Sequence, residues 1–475
     1  MAKPLLCFYL VKILILGCGQ VGSTIASTLA MTPNNDITVI DVDDSALGKL
    51  KAKLDIQTVQ GNAASPVTLQ QAGAPDADLI LAVTRSDETN MVACRMANVL
   101  FNTPGRIARV RRSEYLEFTT EHDEYPSSLD LFDITESISP EQLVTEQIVN
   151  LLKHTSALQV LSFADDKARM VVIRAQKGGL LVGNPLGDIH NHLPEQVDCQ
   201  ICAIYRNNRL IVPTPSTVLI EGDEVFILVP TEHTDTIMRE LRPNAQRTRR
   251  VMIAGGGNIG YRVAKQLESR FDIKIIEFNH KRAEWLAENL NNALVLKGSA
   301  TDEGLLDSEY IDEIDVFCAL TNDDEDNIMS GMLAKNLGAK RVMAIVNRSS
   351  YVDLLEGNAI DIVISPHLIT IGSILAHVRL GDVVAVHALR RGASEAIEVV
   401  IHGDKHTSKM VGRTPDEIKL PNGCYFAAVV RGDEVIMAHH DVILADGDHI
   451  IFFVARRRVV QELEKLVQVK LGFFG

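Results

Sequence analysis

The feature that most constrains this chain is that it repeats itself. "KILILGCGQVGSTIASTLAMTPNNDITVIDVD" (12–43) and "RVMIAGGGNIGYRVAKQLESRFDIKIIEFN" (250–279) share one grammar. Each runs from an apolar stretch through Gly-x-Gly-x-x-Gly and a helix-compatible segment to a second apolar run ending in a carboxylate, Asp41 or Glu277. Later stretches keep the offset. Gly61-Asn62-Ala63 matches Gly298-Ser299-Ala300, and "LAVTRSDETNM" (81–91) matches "CALTNDDEDNI" (318–328), with Thr84/Thr321 and Asn90/Asn327 in register. Beyond the glycine segments, "CAIYRNNRLIVPTPSTVLIEGDEVFILV" (202–229) matches "AAVVRGDEVIMAHHDVILADGDHIIFFV" (427–454). A period of about half the chain marks a duplicated two-domain unit rather than a short-repeat solenoid.

The repeat resolves an ambiguity at the start. Lys3, an apolar run and Ile15-Leu16-Gly17-Cys18 together resemble an export signal with a lipoprotein-type cleavage site. A signal would not recur in mid-chain behind the polar stretch "RPNAQRTRR" (242–250), so Gly17 to Gly22 reads as a ligand turn. Residues 1–10 have no counterpart ahead of Arg250 and receive no assignment. With 47 Lys+Arg against 62 Asp+Glu the formal net charge is −15, which speaks against a nucleic-acid surface. No window approaches about 20 uninterrupted apolar residues, so a membrane role would run through a partner. The seven cysteines are odd in number and scattered in apolar stretches, a usage that fits a reducing cytosol.

Alternating apolar runs and helical patterns predict an α/β fold: two Rossmann-like, doubly wound parallel-sheet domains, each followed by a small α+β domain, in tandem duplication. The expected boundaries are a first dinucleotide-type domain over 11–138, a connector helix over 139–157 and a first small domain over 158–241. After a linker at 242–249 come the second dinucleotide-type domain (250–364), its connector helix (365–381) and the second small domain (382–475). In the first copy, strands are expected near 12–16, 37–41, 56–60, 78–83 and 106–110. Helices fall near 21–31, 45–54, 66–73 and 88–101, the third opened by Ser65-Pro66.

In such a turn Gly17 permits the sharp bend, Gly19 lets backbone approach a pyrophosphate, and Gly22 allows close helix–strand packing. The helix entered through Cys18, Gln20 and Val21 directs free N–H groups and about +0.5 e at the phosphates. Asp41 stands where a ribose-binding carboxylate is expected, and with Asp43 and Asp44 it would repel a 2′-phosphate. The ligand is therefore NAD(H) or an adenine nucleotide such as ATP or ADP, with NADP disfavoured. Asn62, Thr84 and Arg85 follow the third and fourth strands at the ligand edge of the sheet, and Arg109 can bring a cation to the phosphates. The alternative for all four is a loop cap or a solvated arginine. In the second copy Gly255, Gly257, Asn258, Ile259, Gly260, Glu277, Ser299 and Thr321 repeat the pattern. Ile345 or Ala344 replaces Arg109 there and Asn322 replaces Arg85, so that site is expected to bind differently or more weakly.

Other constellations carry less. Cys199-x-x-Cys202 lacks a second pair and lies in a predicted strand, where positions i and i+3 face opposite ways, so it reads as core. His402, His406, His439 and His440 could hold a metal only if the second small domain gathers them; none is assigned. The arginines of "RVRRS" and of 456–458 read as helix-end or inter-domain partners. The small domains show no His-Asp or Ser-Tyr-Lys constellation for nicotinamide chemistry, so no catalytic residue is assigned and an NAD-dependent oxidoreductase is the alternative.

"KILILGCGQVG", "DITVIDVD", "AVTRSDETNMVAC", "NTPGRIARVR", the second "AGGGNIG" and the paired small domains resemble the family of domains that regulate potassium conductance. The resemblance spans essentially residues 11–475. It implies a non-enzymatic, cytoplasmic regulatory subunit, peripheral on the inner face of the membrane. It also implies a homo-oligomer, a tetrameric ring, under a potassium transporter of the TrkH or TrkG type, with NAD(H) or adenine nucleotide in the glycine domains.

Overall fold

The computed structural model describes residues 11–30, 35–112, 114–115, 127–154, 156–179, 181–191, 193–194, 197–207, 209–243, 248–355, 360–378, 382–389 and 393–468. They fall into two compact units that divide between Glu141 and Gln142.

In the first unit, the run Ile13–Leu16 is buried on both faces, as the centre of a parallel sheet demands. That strand is β1 (Val11–Leu16). It pairs in parallel with β2 (Asn35–Asp41) on one side and β4 (Leu79–Ala82) on the other. With β3 (Gln57–Gln60), β5 (Gly105–Arg109) and β6 (Glu136–Ile138) the order is β3-β2-β1-β4-β5-β6. The winding reverses between β1 and β4, which opens a ligand crevice at the carboxyl ends of the strands. Helices Gln20–Leu29, Asp44–Lys51, Pro66–Gln71 and Asp87–Phe101 connect the strands. Ser65 does precede the third helix with Pro66 at its first turn, although its side chain makes no capping bond.

The second unit holds a five-stranded antiparallel sheet, β10-β9-β11-β8-β7, formed by β7 (Ala157–Phe163), β8 (Ala168–Arg174), β9 (Gln200–Arg206), β10 (Arg209–Ile211) and β11 (Glu224–Pro230). A second parallel sheet repeats the first-unit order as β14-β13-β12-β15-β16-β17. Its strands are β12 (Arg250–Ala254), β13 (Asp272–Glu277), β14 (Leu294–Lys297), β15 (Val316–Ala319), β16 (Arg341–Ile345) and β17 (Ile362–Ile364). The last sheet, β18-β19-β22-β20-β21, contains β18 (Asp382–Leu389), β19 (Ser394–Val400), β20 (Cys424–Arg431), β21 (Glu434–Met437) and β22 (His449–Val454). The connectors are helices Pro140–Lys153 and Pro366–Val378.

Two features differ from the sequence reading. Each parallel sheet gains a sixth strand, β6 or β17, of three residues, too short to carry a period-2 signal. The small-domain strands are also less alternating than expected: the central residues of β11 and β22 are buried on both faces. The cause is that the two small sheets share one apolar cluster, Phe163, Met170 and Phe226 from one with Ala396, Ala428 and Phe453 from the other. The Phe226 and Phe453 rings lie 6.1 Å apart.

Candidate functional site

The two glycine turns separate the requirements of their three glycines. Gly17 sits at φ +109° and Gly255 at φ +104°, beyond what a side chain tolerates. A Cβ on Gly22 would lie 1.9 Å from the Gly17 carbonyl oxygen, and one on Gly260 would lie 2.0 Å from that of Gly255. These four are fixed by internal packing. Gly19 and Gly257 are different: both have ordinary φ, −70° and −64°, and a Cβ on either would meet nothing within 4 Å among the described residues. Both open a helix as N-cap with no side-chain capping bond, the end of a helix that favours an anion. Gln20 and Val21 begin the first helix, and Asn258 and Ile259 begin the second.

The predicted carboxylates reach these turns. Asp41 accepts the N–H of Cys18 with one oxygen and that of Asp43 with the other, at 2.9 Å. Glu277 repeats the arrangement with Gly256 (2.8 Å) and Asn279 (2.7 Å). Each therefore clamps the glycine turn to the loop after the second strand while keeping further lone pairs for a ligand hydroxyl. Burial, then the charges of Asp41 and Asp43, pushes the Cys18 thiol pKa up, so the thiol stays protonated.

Asn62 accepts the Ala64 N–H in an Asx turn (2.9 Å), while Ser299 bonds Thr301 through their hydroxyls (2.8 Å). Thr84 abuts the Gly17 bend and is tied by both N–H (2.9 Å) and hydroxyl (2.7 Å) to Asn90 Oδ1. Asn90, fully buried, donates its Nδ2 to the Arg109 carbonyl at 2.9 Å. Thr321 and Asn327 reproduce every bond, ending on the Ile345 carbonyl at 3.0 Å. Asn90 and Asn327 thus bolt the fourth strand to the fifth at the ligand edge. Their matched positions in the repeat were visible in the sequence, but no site role was assigned to them.

That bolt also fixes the cation comparison: Ile345, not Ala344, takes the place of Arg109. Arg109 Nη2 donates to the Thr84 carbonyl (2.9 Å), while its Nε is buried without a hydrogen-bond partner among the described residues. Burial first, then the neighbouring Arg111, lowers the guanidinium pKa. Arg85 is exposed beside it. In the second copy Arg282 donates to the Gly256 carbonyl (2.7 Å) and stacks on Trp285, 4.1 Å from the ring centre.

The remaining constellations resolve as follows. Cys199 lies just ahead of β9 rather than within it as expected, Cys202 lies inside it, the two belong to different apolar clusters, and burial pushes both thiols up to about 12. Arg111 and Arg112 serve a helix start, donating their backbone N–H groups to the buried Asp87. His402 pairs with Asp382 (2.7 Å) and His406 is exposed, whereas His439 and His440 meet Asp198 of the first small domain.

Comparison with known proteins follows the same division. The TrkA-N domain family matches residues 13–123 and 251–366, and the TrkA-C domain family matches 170–242 and 404–468. The Trk system potassium uptake protein TrkA of Halomonas elongata is 50% identical over 98% of this chain and 100% of its own length. That of Vibrio alginolyticus is 47% identical over 96% and 98%. Among solved structures, the GsuK RCK domain aligns at TM-score 0.60 and 19% identity, covering 96% of this chain and 95% of its own. A GsuK channel bound to NAD aligns at 0.59 and 19%, covering 96% and 79%. At that identity the structures speak for the fold alone. The sequence relatives, matched end to end, go further: this chain belongs to the TrkA family of Trk-system potassium uptake proteins.

Proposed function

We propose that this chain is the nucleotide-responsive regulatory subunit of a potassium uptake system and acts on a membrane potassium transporter of the TrkH or TrkG type. The family supplies the system. The nucleotide reading is carried by one observation: Gly19 and Gly257 are glycines that neither backbone strain nor packing requires, each at an uncapped helix N-terminus. A phosphate occupying that space explains both.

Gly17, Cys18, Gly19, Gln20, Val21 and Gly22 then surround the pyrophosphate, and Asp41 takes ribose hydroxyls. Asn62, Thr84 and Arg85 line the crevice, and the Nε of Arg109, without a partner among the described residues, supplies a donor for the anion. Gly255, Gly257, Asn258, Ile259, Gly260, Glu277, Ser299 and Thr321 form the second site. NAD(H) meets these requirements best, since its diphosphate and two ribose diols match the donors and the carboxylate. ATP and ADP meet them in part, and the two sites need not hold the same ligand. The nucleotide acts as a ligand rather than as a redox substrate.

Among the described residues no helix is long and apolar enough to cross a membrane, so the membrane is reached through the transporter. The chain works as a cytoplasmic, peripheral homo-oligomer, a tetramer. A ligand with tenfold different affinities for two shapes of that assembly shifts their balance by about 1.4 kcal/mol per site. Calorimetric titration with NADH, NAD, ATP and ADP, beside potassium flux through vesicles carrying the transporter, tests the reading. Absence of binding in both halves refutes the nucleotide part. Steady NADH oxidation with small acids or aldehydes would favour the oxidoreductase instead.

A further inference from the structure

We propose that Asp198, His439 and His440 form a binding site for a divalent cation of the zinc class, which clips the first small domain to the second. Asp198 lies just ahead of β9 and the histidines lie in the turn after β21, so neither small domain alone holds the set. Asp198 Oδ1 is 3.2 Å from His439 Nε2, and its Oδ2 is 2.8 Å from His440 Nε2. One ligand atom from each residue falls within a sphere where all are within 4.8 Å of one another. Two ligand atoms of a tetrahedral zinc centre stand about 3.3 Å apart, so closing on an ion asks for only small side-chain shifts.

His439 is also held from its other ring nitrogen. Its Nδ1 lies 3.1 Å from Gln200 Oε1, and Gln200 donates its Nε2 to the Ile201 carbonyl at 3.3 Å, which leaves Oε1 as the acceptor. Nδ1 therefore donates its N–H to that carbonyl, and Nε2 is the nitrogen turned toward the Asp198 carboxylate. A ring N–H held by a side-chain carbonyl while the other nitrogen points at the ligand position is the usual outer-sphere arrangement of a metal-binding histidine. Two imidazoles and one carboxylate select zinc or a neighbouring transition ion over magnesium and calcium, which prefer oxygen sets.

His439 and Gln200 also line a cavity of about 360 Å3 open to solvent, which gives the ion a path and leaves a coordination position for water. Cys202 and Cys424 share that cavity but are not in the group whose ligand atoms all lie within 4.8 Å of one another. The bridge would join the two elements beside the shared Phe226–Phe453 core and restrict motion of one small sheet on the other.

The test uses the full chain stripped with EDTA and titrated with zinc chloride against a fluorescent chelator, with magnesium and calcium chlorides as controls. Metal-free melting curves of Asp198→Asn and His440→Ala, compared with the parent, show whether the variants fold. One zinc per chain is expected, with affinity reduced at least tenfold in each folded variant and zinc raising the melting temperature of the parent only. Zinc binding of unchanged affinity and stoichiometry in both variants would overturn the proposal, as would failure of the parent to prefer zinc over magnesium. Gln200→Leu provides the second reading: it removes no ligand atom but is expected to weaken zinc about tenfold. No change there would overturn the role given to the Nδ1 bond.

Discussion

The glycine turn of the first unit allows stability and ligand binding to be separated by two substitutions three residues apart. A Cβ at Gly22 would lie 1.9 Å from the Gly17 carbonyl oxygen and 3.4 Å from Val83 Cγ2. The first contact is with backbone, so no rotamer relieves it, and helix Gln20–Leu29 must move off β1. Overpacking of this kind costs about 3 kcal/mol at the upper end of its range. The better helix propensity of alanine returns about 1 kcal/mol, for a net loss of about 2 kcal/mol in Gly22→Ala. In a unit of this size that lowers the melting temperature by roughly 4–8 °C. Gly19→Ser is the counterpart. Gly19 has φ −70° and ψ −170°, nothing within 4 Å, and the N-cap position, where serine is preferred to glycine. Its stability should stay within about 0.5 kcal/mol of the parent. The new side chain nevertheless stands where the phosphate is placed, so nucleotide affinity should fall at least about tenfold, about 1.4 kcal/mol. Scanning calorimetry reads the first quantity and titration calorimetry the second. Parental nucleotide affinity in Gly19→Ser refutes the placement of the phosphate, and an unshifted transition in Gly22→Ala refutes the packing argument.

Three further outcomes follow from buried polar groups. Asn90→Ala strands the Thr84 N–H and the Arg109 carbonyl, and should cost about 3 kcal/mol in urea unfolding; a loss under about 1 kcal/mol would mean that water replaces the bolt. Asp223 is buried and receives both Nε and Nη2 of Arg206 at 2.8 Å, as Asp448 does from Arg431 at 2.7 Å. Asp223→Ala and Asp448→Ala should each cost about 3 kcal/mol, with Asp223→Asn milder; equal melting of alanine variant and parent would refute this. His387 is half-buried with Nε2 3.1 Å from the Ser162 carbonyl, and desolvation lowers its pKa to about 4. The unfolded chain takes up the proton near pH 6.5 and the folded one does not, so this contribution is intact above pH 6.5 and is lost as pH falls toward 4. The loss totals about 3 kcal/mol, and His387→Gln should flatten that limb of the pH–stability curve; an unchanged slope would assign the acid loss elsewhere.

Much of the fold was legible because it is written twice. Apolar runs such as Ile13–Leu16 and Val251–Ala254 stand at fixed distances from glycine turns, and the structure places them at the centres of the two parallel sheets. The clamp on each turn was legible as a carboxylate at Asp41 and Glu277, though its bonds to Cys18 and Gly256 could not be read from spacing. The sheet-on-sheet contact was hidden. Phe226 and Phe453 lie far apart in the chain, and nothing local distinguishes a strand covered by helices from one covered by another sheet. The pairing of His439 and His440 with Asp198 was hidden for the same reason, since its members come from different copies of the repeat. Asn90 and Asn327 were visible as a repeated letter, but their role depends on a carbonyl that only the folded fifth strand brings within reach.

The two copies differ at the point where they would meet a phosphate. In the first, Arg109 is half-buried and its buried Nε lacks a partner among the described residues, a state that costs free energy and that a bound anion would relieve. In the second, the equivalent position is Ile345, and the nearby Arg282 is already engaged by the Gly256 carbonyl and the Trp285 ring. Gly256 is itself constrained, since a Cβ there would lie 2.2 Å from Leu286 Cδ1. The second turn is therefore braced by its own side chains, whereas the first retains a donor to satisfy. In the proposed mechanism a ligand that changes the shape of the assembly would gain most where binding also relieves such an unmet bond, which would place the response in the first unit. In the proposed tetramer, four such sites with tenfold discrimination supply about 5.5 kcal/mol, enough to move a two-state assembly from 1:99 to 99:1. Arg109→Ala should accordingly flatten the nucleotide response of potassium flux more than Arg282→Ala, and the reverse order would place the response in the second unit.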